Sequence, residues 1–596
     1  MPAREQTVEG RSLATFALLV VAAGVGLGLT QSLRHSDPVV IGVRRTAVFS
    51  PTGSGPRSAV LSFWLKRPDR VAVTVVDARD DLVRTISGSR SVPSRTRVNF
   101  VWNGTDELGR RAPDGRYRFR VGLAQQGRSL TLPQAVRLDT QPARPWIASV
   151  NPVAAAGPFV FPANGRAAGI VRGTPGHQVS GIVIRTDSAP PRVVSRFPLP
   201  DRARTVPWNG RLSGKLAPDG IYMLGIEETD PAGNRGSYPP TVSPLPDELR
   251  GRSGVTVRRL AAIPPTLPFK PGGVVTVIID SRRADWKWAL RAVGSERALA
   301  RGKGSGSAIR LRIPKRASGL LLLAVAANGR RISVPIMVNR SPRPLLVVLP
   351  AIRWQGIAPV DQSGDGLPDT LPNGRAVSLN RLNPFAKGGL PELGSSVVPL
   401  LKFLARIRQP AELTTDAALA QGRGPKLSGH TGAVFLGSTW LPPALLAGLR
   451  RWVGSGGRVL DIGPDDLRRT IAIDGEVISR PSLPLPSDAF GGVRAEPVVT
   501  GEYLTPWKDE IGLFSGAGGL IDGQRGWAGT ARVKRPGLLV AAAGPSSGIA
   551  AVAAWRLGKG LVIHTGLTSL ATDALQLNQS AQLLRNAVRL TANGKP

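Results

Sequence analysis

The hydrophobic pattern divides the chain into one long apolar run near its start and many short apolar runs after it. No charged residue lies between Ser12 and Leu33, and the most apolar part of this 22-residue stretch is Leu13–Leu29. A helix of that length reaches about 33 Å, enough to cross a hydrocarbon core of about 30 Å. The pattern therefore predicts a membrane-spanning helix over 12–33 that follows a cytoplasmic tail over 1–11.

A cleaved secretory signal and a buried core helix are the alternatives for this run. Arg4 and Arg11 supply the basic start of a signal, but the apolar centre exceeds about 7–15 residues and no A-x-A-like site follows. Gly24, Gly26 and Gly28 would weaken a soluble helix more than one embedded in lipid. We expect an uncleaved single-pass anchor in the cell membrane, with the bulk of the chain extracytoplasmic.

After a polar stalk over 34–45, apolar and polar residues alternate in short runs. These runs include 59–65, 71–77, 97–102 and 116–123. Alternation over a few residues between Gly, Pro, Asp and Ser is typical of antiparallel strands. Because no sustained 3.6-residue period occurs between 46 and 340, this part of the chain is predicted to be all-β.

A two-part motif occurs twice in this region, about 105 residues apart. Trp102-Asn103-Gly104 precedes Pro113-Asp114-Gly115-Arg116-Tyr117, and Trp208-Asn209-Gly210 precedes Pro218-Asp219-Gly220-Ile221-Tyr222. Each Trp is expected to end a strand in the core, while Asn-Gly and Pro-Asp-Gly form turns. The repeat predicts tandem Ig-like sandwiches over 46–145 and 146–245, followed by a third β-sandwich over 246–341 that lacks the motif.

The first copy resembles the Ig-like module of flagellar hook-capping proteins, which also occurs at the C-termini of secreted bacterial enzymes. The matching residues are Ser50-Pro51, Val73, Val75, Asp77, Val83, Arg84, Trp102–Asp106, Gly109 and Pro113–Tyr117. The second copy keeps only the second half of the pattern. The resemblance implies a spacer or assembly role for these modules, without an active site.

The hydrophobic period changes at Pro344. Apolar strand-like runs at 345–350, 433–437, 458–463 and 549–566 alternate with helix-like runs at 397–407, 442–457 and 581–592. Strands that alternate with helices predict a doubly wound α/β domain over 342–596. In such domains ligands bind beyond the carboxyl ends of the strands.

This terminal region resembles class I glutamine-amidotransferase-like folds, and most closely the C-terminal domain of the N,N-dimethylformamidase large subunit. The residues that carry the resemblance are Trp354-Gln355, Ser378–Arg381, Leu436-Gly437, Gly456-Gly457 and Gly558–Gly560. Two departures are evident. The chain has no cysteine, so it lacks the amidotransferase nucleophile, and Ser438–Leu441 stands where the formamidase relatives carry His, Glu and Tyr, so their iron site has no counterpart.

A different nucleophile is conceivable at the predicted strand ends. Ser438 and His564 each end a strand of the same predicted sheet, and Asp461 or Asp465 could orient a base. The residues around Ser438 do not form the G-x-S-x-G motif of hydrolases, and a serine just before Pro442 is also a natural helix N-cap. Both interpretations of Ser438 stay open.

The sharpest chemical signal is the sequence D-Q-S-G-D-G-L-P-D. Its spacing matches the first part of a calcium loop, with oxygen ligands from Asp361, Ser363, Asp365, the Leu367 carbonyl and Asp369. The glutamate expected at position 12 is missing. Calcium binding and a rigid Asp/Gly turn are therefore both open interpretations of this segment.

The formal net charge of +38 changes the set of expected partners. Basic residues are mostly arginines scattered along the chain without a dense block, so we do not expect nucleic acid as a partner. A solvated basic surface is the simple interpretation. Attraction to an anionic cell-wall polymer or glycan, or to lipid headgroups, is the functional alternative.

Two functions are consistent with this organisation. The first is a membrane-anchored envelope protein whose Ig-like spacers present a non-catalytic α/β ligand-binding domain, with Trp354, Trp440, Trp507 or Trp527 as contacts for a glycan or peptide. The second is an exported amide or ester hydrolase of formamidase-like fold. The sequence favours the first, because the family-type nucleophile and iron ligands are absent.

Overall fold

Strands dominate the described residues between 39 and 338. The computed structural model describes residues 20–21, 39–151, 167–172, 177–200, 205–239, 254–282, 284–384, 396–495, 502–523, 525–545 and 548–595. The predicted membrane-spanning helix over 12–33 lies outside them, apart from Val20 and Val21, which are helical. Within the described ranges, no helix combines the length and the apolar character needed to span a bilayer.

The first β unit has nine strands in two sheets. They are β1 (Val40–Arg45), β2 (Val48–Phe49), β3 (Ala59–Leu65), β4 (Asp69–Val76), β5 (Leu82–Val92), β6 (Val98–Trp102), β7 (Gly115–Leu123), β8 (Arg128–Thr131) and β9 (Val136–Leu138). The sheet orders are β1-β3-β6 and β2-β9-β7-β4-β5, with β8 on β7. Buried and exposed residues alternate along β4, β6 and β7, so their inward side chains fill a core with Phe49 and Trp102. Because β1 belongs to this sandwich, the predicted stalk over 34–45 is too long by six residues, 40–45.

The second unit also has two main sheets. Its strands are β10 (Trp146–Asn151), β11 (Ala167–Arg172), β12 (Gln178–Arg185), β13 (Arg192–Pro198), β14 (Thr205–Trp208), β15 (Arg211–Leu212), β16 (Lys215–Leu216), β17 (Gly220–Thr229), β18 (Arg235–Tyr238) and β19 (Gly254–Val257). The sheet orders are β10-β11-β14 and β13-β12-β17-β18, and β19 pairs with β17. The predicted boundary at 245 placed β19 in the third unit. Its pairing places it in the second, because it continues the edge of β17 that β18 occupies further along.

Both copies of the repeated motif make the same side-chain contacts. Trp102 Nε1 donates to the Thr105 carbonyl at 2.9 Å, and Trp208 Nε1 donates to the Arg211 carbonyl at 3.0 Å. Each motif tyrosine also donates its hydroxyl hydrogen bond to the carbonyl of the proline that opens its own Pro-Asp-Gly turn. The repeat therefore encodes one local structure: a core tryptophan that closes the first turn and a core tyrosine that closes the second.

The third unit is smaller. It contains β20 (Ala261–Ala262), β21 (Val274–Asp280), β22 (Trp286–Ala292), β23 (Ala298–Gly304), β24 (Ala308–Arg312), β25 (Gly319–Ala327) and β26 (Arg330–Val338). The sheet orders are β20-β21-β24 and β23-β22-β25-β26. The predicted hairpin between β25 and β26 is present, with Asn328 at φ 51° and Gly329 at φ 68° in the turn.

The remaining residues contain all the helices described beyond the apolar run. The helices are α1 (Ala351–Ile357), α2 (Val398–Arg406), α3 (Asp416–Ala420), α4 (Pro443–Gly454), α5 (Leu570–Asp573) and α6 (Asn578–Asn593). The strands are β27 (Leu345–Leu349), β28 (Val377–Ser378), β29 (Glu412–Thr415), β30 (Gly432–Leu436), β31 (Trp440–Leu441), β32 (Arg458–Ile462), β33 (Arg469–Thr470), β34 (Ala472–Asp474), β35 (Val477–Ser479), β36 (Gly492–Arg494), β37 (Tyr503–Asp509), β38 (Ile521–Asp522), β39 (Thr530–Val533), β40 (Leu538–Gly544), β41 (Val552–Leu557) and β42 (Gly560–Thr565).

One nine-stranded sheet organises this C-terminal region, in the order β29-β27-β30-β32-β42-β41-β40-β37-β38. The first five strands are parallel and the last four antiparallel. The parallel strands β27, β30, β32 and β42 are almost wholly buried, as their apolar sequences predict. The carboxyl ends of the parallel strands meet at one edge, where polar residues collect.

The third unit and this C-terminal region share one hydrophobic core. A single cluster of buried side chains runs from Leu260 in the third unit to Ala592 in α6. The first unit has a separate core, and the second has smaller clusters of its own. The third unit is thus an extension of the C-terminal core, whereas the first two units are sandwiches with their own interiors.

Candidate functional site

A cavity of about 220 Å³ opens at the carboxyl edge of the parallel strands. It lies where chain segments leave β30, β32 and β42, and α1 supplies a basic side chain. Its lining residues are Arg353, Ser396, Leu436, Gly437, Thr439, Ile462, Gly463, Pro464, Asp465, Asp466, Leu567, Thr568, Leu570 and Ala571. Aliphatic walls with a few convergent polar groups are the usual make-up of a small-molecule site.

Two glycines allow the strand ends to approach each other closely. Gly437 adopts φ 76°, and its N–H donates to Asp466 Oδ2 at 2.5 Å. Gly463 adopts φ 151°, and a Cβ there would lie 2.7 Å from the same Asp466 oxygen. Any side chain at position 463 would therefore collide with the carboxylate that holds the loop after β30.

Side chains of both charge signs line the cavity. Arg353 donates to Thr439 Oγ1 at 2.7 Å, and both residues line the space. Asp465 also lines the cavity, and Arg469 Nη2 is 2.7 Å from its Oδ2 and Arg468 Nη1 is 3.5 Å from its Oδ1. Its side chain is 30% exposed, so this predicted site residue is in the cavity but is charge-compensated.

Ser438 does not face the cavity. It is fully buried, and its hydroxyl lies 3.4 Å from Asp416 Oδ2. Asp416 begins α3 directly after β29, and its Oδ1 accepts the N–H groups of Ile352 at 3.0 Å and Ala417 at 2.8 Å. Asp416 therefore binds backbone N–H groups at the starts of α1 and α3, while the Thr415 side chain caps α3 by accepting the Ala418 N–H at 3.0 Å, and Ser438 adds one more polar contact to Asp416. Burial raises the pKa of Asp416 to about 7.

His564 belongs to a second, separate network. Its Nδ1 lies 3.0 Å from Asp461 Oδ2, as the pairing of β32 with β42 dictates by placing the two residues side by side. Arg494 Nη2 lies 3.0 Å from the same Asp461 oxygen and 2.9 Å from Asp488 Oδ2. His564 Nε2 is buried without a hydrogen-bond partner among the described residues. Burial, followed by the charge of Arg494, holds the pKa of His564 well below its ordinary value, so the ring is neutral.

Ser438 and His564 are thus held by different carboxylates. Neither lines the cavity described above, and of the four candidates for a catalytic site, which include Asp461, only Asp465 does. A serine acts as a nucleophile when a base accepts its proton at hydrogen-bond distance. In the described part of the chain the Ser438 hydroxyl contacts Asp416 instead. The predicted helix N-cap role of Ser438 is also wrong, because Pro442 holds that position of α4 and no side chain caps the helix.

Asp416, Arg494 and Asp488 carry little signal in the sequence. Asp416 follows a short four-residue strand whose sequence, Glu-Leu-Thr-Thr, has a weak apolar pattern. Arg494 ends the short strand β36 and reaches Asp461 across 33 positions of sequence, and Asp488 joins this network only through Arg494, which no local pattern encodes. The position of a polar residue directly after β29 was the one available clue for Asp416.

The Asp-rich loop, for which calcium binding and a rigid turn are both open interpretations, is compact, and its three aspartates are buried. Asp361 Oδ1 accepts the N–H groups of Gly364 at 2.7 Å and Asp365 at 3.1 Å, and its Oδ2 accepts that of Gly366 at 2.9 Å. Asp369 Oδ2 accepts two further backbone N–H groups, those of residues 362 and 363. Burial and the neighbouring carboxylates raise the pKa of Asp361 to about 7.

A guanidinium already lies among these carboxylates. Arg375 Nη1 is 2.5 Å from Asp365 Oδ2 and 2.8 Å from Asp369 Oδ1. The Ser363 hydroxyl lies 3.1 Å from Asp369 Oδ1, and the Leu367 N–H donates to Asp365 at 2.8 Å. Among the described residues no group of three acidic or histidine side chains is arranged to hold a metal ion. In this arrangement Arg375 supplies the positive charge that calcium would bring.

The predicted aromatic contacts separate into buried and exposed side chains. Trp354, Trp440 and Trp527 are at most 4% exposed and belong to the core. Trp507 on β37 is 45% exposed, and Tyr503 on the same strand is 56% exposed. Of the four tryptophans proposed to contact a glycan or peptide, only Trp507 is accessible.

Comparisons with known proteins bear on the first β unit. No curated protein matches the chain. Solved structures with partial likeness include an exo-β-1,4-mannosidase, Op5Man5, from Opitutaceae bacterium strain TAV5, at 13% identity and a TM-score of 0.25 over 42% of this chain and 36% of that one. The cold-adapted β-galactosidase from Rahnella sp. R3 has 12% identity and a TM-score of 0.25, over 42% and 31%. The FN1–FN3 domains of chicken CNTN1 have 9% identity and a TM-score of 0.15, over 50% and 98%.

These structural likenesses are too weak to carry an argument about fold or function. This chain spans about a third of the length of the two glycosidases. One family description does match part of the sequence, over residues 57–127, which run from just before β3 to just before β8. The first β unit is accordingly an Ig-like module of the FlgD type.

Proposed function

We propose that this chain is a membrane-anchored envelope protein in which Ig-like spacers hold a non-catalytic ligand-binding domain outside the bilayer. The observation that carries the proposal is the cavity at the carboxyl edge of the parallel strands, together with the separation of Ser438 from His564. The cavity can hold a small ligand. Because Ser438 and His564 lie in separate hydrogen-bond networks, no histidine accepts the proton of the Ser438 hydroxyl.

The binding domain is proposed to be a doubly wound α/β unit over residues 342–596, related to the glutamine-amidotransferase-like and dimethylformamidase-like folds. Five adjacent parallel strands support this assignment, and α4 and α6 contact strands of the same sheet. The cavity lies at the edge where such folds bind their ligands. Its ligand is a small polar molecule with an aliphatic part, because the lining combines Arg353, Asp465 and threonines with leucines.

Blocking the cavity tests the binding function. Thr568 is exposed and lines the cavity, so Thr568→Trp places an indole ring in that space. Small polar molecules are first screened for those that raise the melting temperature of the full chain. We expect these compounds to have no such effect on Thr568→Trp. Thr96→Trp, at an exposed threonine of the first unit, should keep it. Hits that stabilise both variants equally would contradict the proposal.

The alternative function is an exported amide or ester hydrolase, and a second experiment tests it. Wild type, Ser438→Ala and His564→Asn are assayed against a panel of amides and esters. We expect no turnover by any of the three. Wild-type turnover that both substitutions abolish, with folding retained by circular dichroism, would contradict the non-catalytic assignment.

Single-pass anchoring through Leu13–Leu29 is part of the proposal. Its support is the uninterrupted apolar run in the sequence. Protease added to intact cells should digest the large C-terminal part of the chain. Protection in intact cells, followed by digestion after lysis, would contradict an extracytoplasmic location.

Calcium binding by Asp361, Ser363, Asp365, the Leu367 carbonyl and Asp369 is also kept as a proposal, with one condition. The guanidinium of Arg375 must leave Asp365 and Asp369 before these carboxylates can coordinate an ion. The backbone bonds accepted by Asp361 already hold the tight turn that such loops use.

A further inference from the structure

A second cavity lies between the first and second β units and carries an excess of positive charge. Its volume is about 580 Å³. The lining residues are Arg45, Ala47, Val48, Arg116, Ala135, Arg137, Asp139, His177, Asp230, Pro231 and Ala232. We call this space the arginine cleft. Cavities of this size accept ligands larger than a single inorganic ion.

The two units are fixed against each other beside the cleft. Asn234 Nδ2 donates to the Asp139 carbonyl at 2.8 Å, and Ser54 N donates to the Gly233 carbonyl at 2.9 Å. A Cβ on Gly233 would lie 2.0 Å from Gly55 N, so the turn over 230–234 packs directly on the loop after β2. The cleft is therefore bounded by a close contact between the units.

Three arginines of the first unit reach the cleft from neighbouring backbone positions. Arg116 on β7 is the direct antiparallel partner of Arg137 on β9. The Arg137 N–H donates to the Ala47 carbonyl at 2.9 Å, two residues beyond Arg45. Like charges placed directly opposite each other on a sheet are destabilising. Placing Arg116 opposite Arg137 is the arrangement expected where an anion bridges the two strands.

The acidic groups of the cleft do not pair with Arg45 or Arg116. Asp139 Oδ2 pairs with Arg137 Nη2 at 2.8 Å. Asp230 is used by its own turn, where it accepts the Asn234 N–H and Nδ2 bonds at 2.9 Å each. No ion pair in the described part of the chain involves Arg45 or Arg116, and Arg45 Nε is buried without a hydrogen-bond partner there.

The chemistry of the cleft identifies the class of ligand. Guanidinium groups bind phosphate oxygens through directed, charge-assisted hydrogen bonds. Arg45 and Arg116 have no carboxylate partner in the described part of the chain, so a ligand that pairs with both needs two anionic groups, which a polymer with repeated anionic groups supplies and a single monoanion does not. The high positive charge of the whole chain attracts the same kind of polymer from a distance.

We propose that the arginine cleft is a binding site for a phosphodiester-bearing polyanion of the cell envelope. The choice of an envelope polymer rests on the proposed extracytoplasmic location, whereas the anion chemistry does not. The site is independent of the C-terminal cavity, so either can fail without the other.

The test uses the full chain in detergent and a synthetic glycerol-phosphate oligomer as the probe, with binding measured by calorimetry. The double variant Arg45→Gln/Arg116→Gln is expected to bind at least about tenfold more weakly. Arg301→Gln/Arg310→Gln removes the same charge from exposed positions of the third unit and should change the affinity less than about twofold. Equal weakening by both variants would overturn the proposal, since it would assign binding to net charge alone.

Two further measurements separate polymer binding from a structural role of the arginines and from lipid binding. Without the oligomer, the melting temperature of Arg116→Gln should equal or exceed that of the wild type, because the opposition to Arg137 is relieved; a loss of several degrees would indicate a structural role and overturn the proposal. Vesicles of anionic phospholipid serve as the second probe. Wild-type binding to vesicles but not to the oligomer would overturn the polymer proposal in favour of a lipid surface, and binding to neither probe would reject the cleft as an anion site.

Discussion

At the scale of single residues, the C-terminal region is defined by charged side chains buried beside polar partners. Three such side chains are those of Asp416, Asp461 and Arg494, which are buried. Each of them contacts at least two hydrogen-bond donors or groups of opposite charge. Buried charges persist only when they are paired or hydrogen-bonded. Substitutions of these residues should therefore change the free energy of unfolding, and its dependence on pH, more than substitutions of surface charges do.

Asp416→Asn tests the buried carboxylate that accepts backbone N–H groups at the starts of α1 and α3. The pKa of Asp416 is about 7 in the folded chain and about 3.9 in an unfolded one, so the folded state binds the extra proton between these values. The stability that this proton contributes is complete below about pH 4 and is lost as the pH rises through about 7. Asparagine mimics the protonated acid, so Asp416→Asn should equal wild type at about pH 4.5 and exceed it at about pH 7.5.

The measurement is chemical denaturation of both proteins at the two pH values. The expected gain at the higher pH is on the order of 1–3 kcal/mol. A difference between the proteins that does not change with pH would contradict the assigned titration. Asp474→Asn, at an exposed acid of the same region, is the control.

Arg494→Met tests the network around His564. The substitution leaves Asp461 and Asp488 without their shared counter-charge in the core, and breaking a buried pair in this way costs about 3–5 kcal/mol. Arg556→Met, on an exposed position of β41, should cost less than about 0.5 kcal/mol. Thermal denaturation compares them, and similar losses in both variants would show that the network contributes little.

At the scale of elements, the same short patterns produce the same turns wherever they occur. The two Trp-Asn-Gly and Pro-Asp-Gly copies close their turns with matching tryptophan and tyrosine hydrogen bonds. The Asp-rich loop after α1 is likewise held by local Asp-to-backbone bonds. Its charge balance, however, comes from Arg375, outside the nine-residue motif.

Arg375→Gln tests whether the guanidinium substitutes for a cation in this loop. Without calcium, the variant should be destabilised by about 3 kcal/mol, because Asp365 and Asp369 lose their partner. Millimolar calcium should raise its melting temperature more than that of the wild type. Arg375→Gln/Asp365→Ala should lose the response, and equal calcium shifts in all three proteins would dismiss a cation site.

At the scale of the whole molecule, the Asp-rich loop joins the C-terminal region to the second β unit. The Thr186 hydroxyl donates to the Gly366 carbonyl at 2.5 Å, and Leu367 packs against Ile182, Ile184 and Met223. Gly254 of β19 approaches so closely that a Cβ would lie 2.3 Å from Gly366 N. A segment that the sequence marks as a metal loop thus also acts as a docking surface between units.

Gly254→Ala tests this contact. The added methyl group cannot be accommodated against the backbone of Gly366 and Gly364, so the two parts should separate locally. We expect a lower melting temperature and a larger maximum dimension in small-angle scattering. Gly448→Ala, in α4 with nothing within 4 Å, should be neutral or slightly stabilising. An unchanged scattering profile for Gly254→Ala would contradict the docking role.

Elements with a strong local period could be predicted from the sequence. The strands at 274–280 and 345–349 and the helices near 397–407, 442–457 and 581–592 lie within a few residues of their predicted positions. The strand β19 was assigned to the wrong unit, because four apolar residues carry no information on which edge they join. Boundaries between sandwiches depend on pairing, and pairing is a long-range property.

The candidate site shows the same division more clearly. Chain order placed Asp465, Ser438 and His564 at strand ends, since parallel strands bring their carboxyl ends to one edge. Chain order did not determine which of these side chains faces the cavity and which is buried. Ser438 is held by Asp416 and His564 by Asp461, and these pairs form only when the strands assemble into the sheet.

The local structure of this protein can be read from its amino acids: an apolar run long enough for a bilayer, two copies of a turn motif, and strands and helices set by the spacing of apolar residues. The contacts between charges emerge only in the folded chain: Arg375 among the loop carboxylates, Arg494 between two aspartates, and Arg116 opposite Arg137. The difference arises because hydrophobic periodicity acts over a few residues, whereas charged side chains interact with whatever the folded chain brings within a few ångströms.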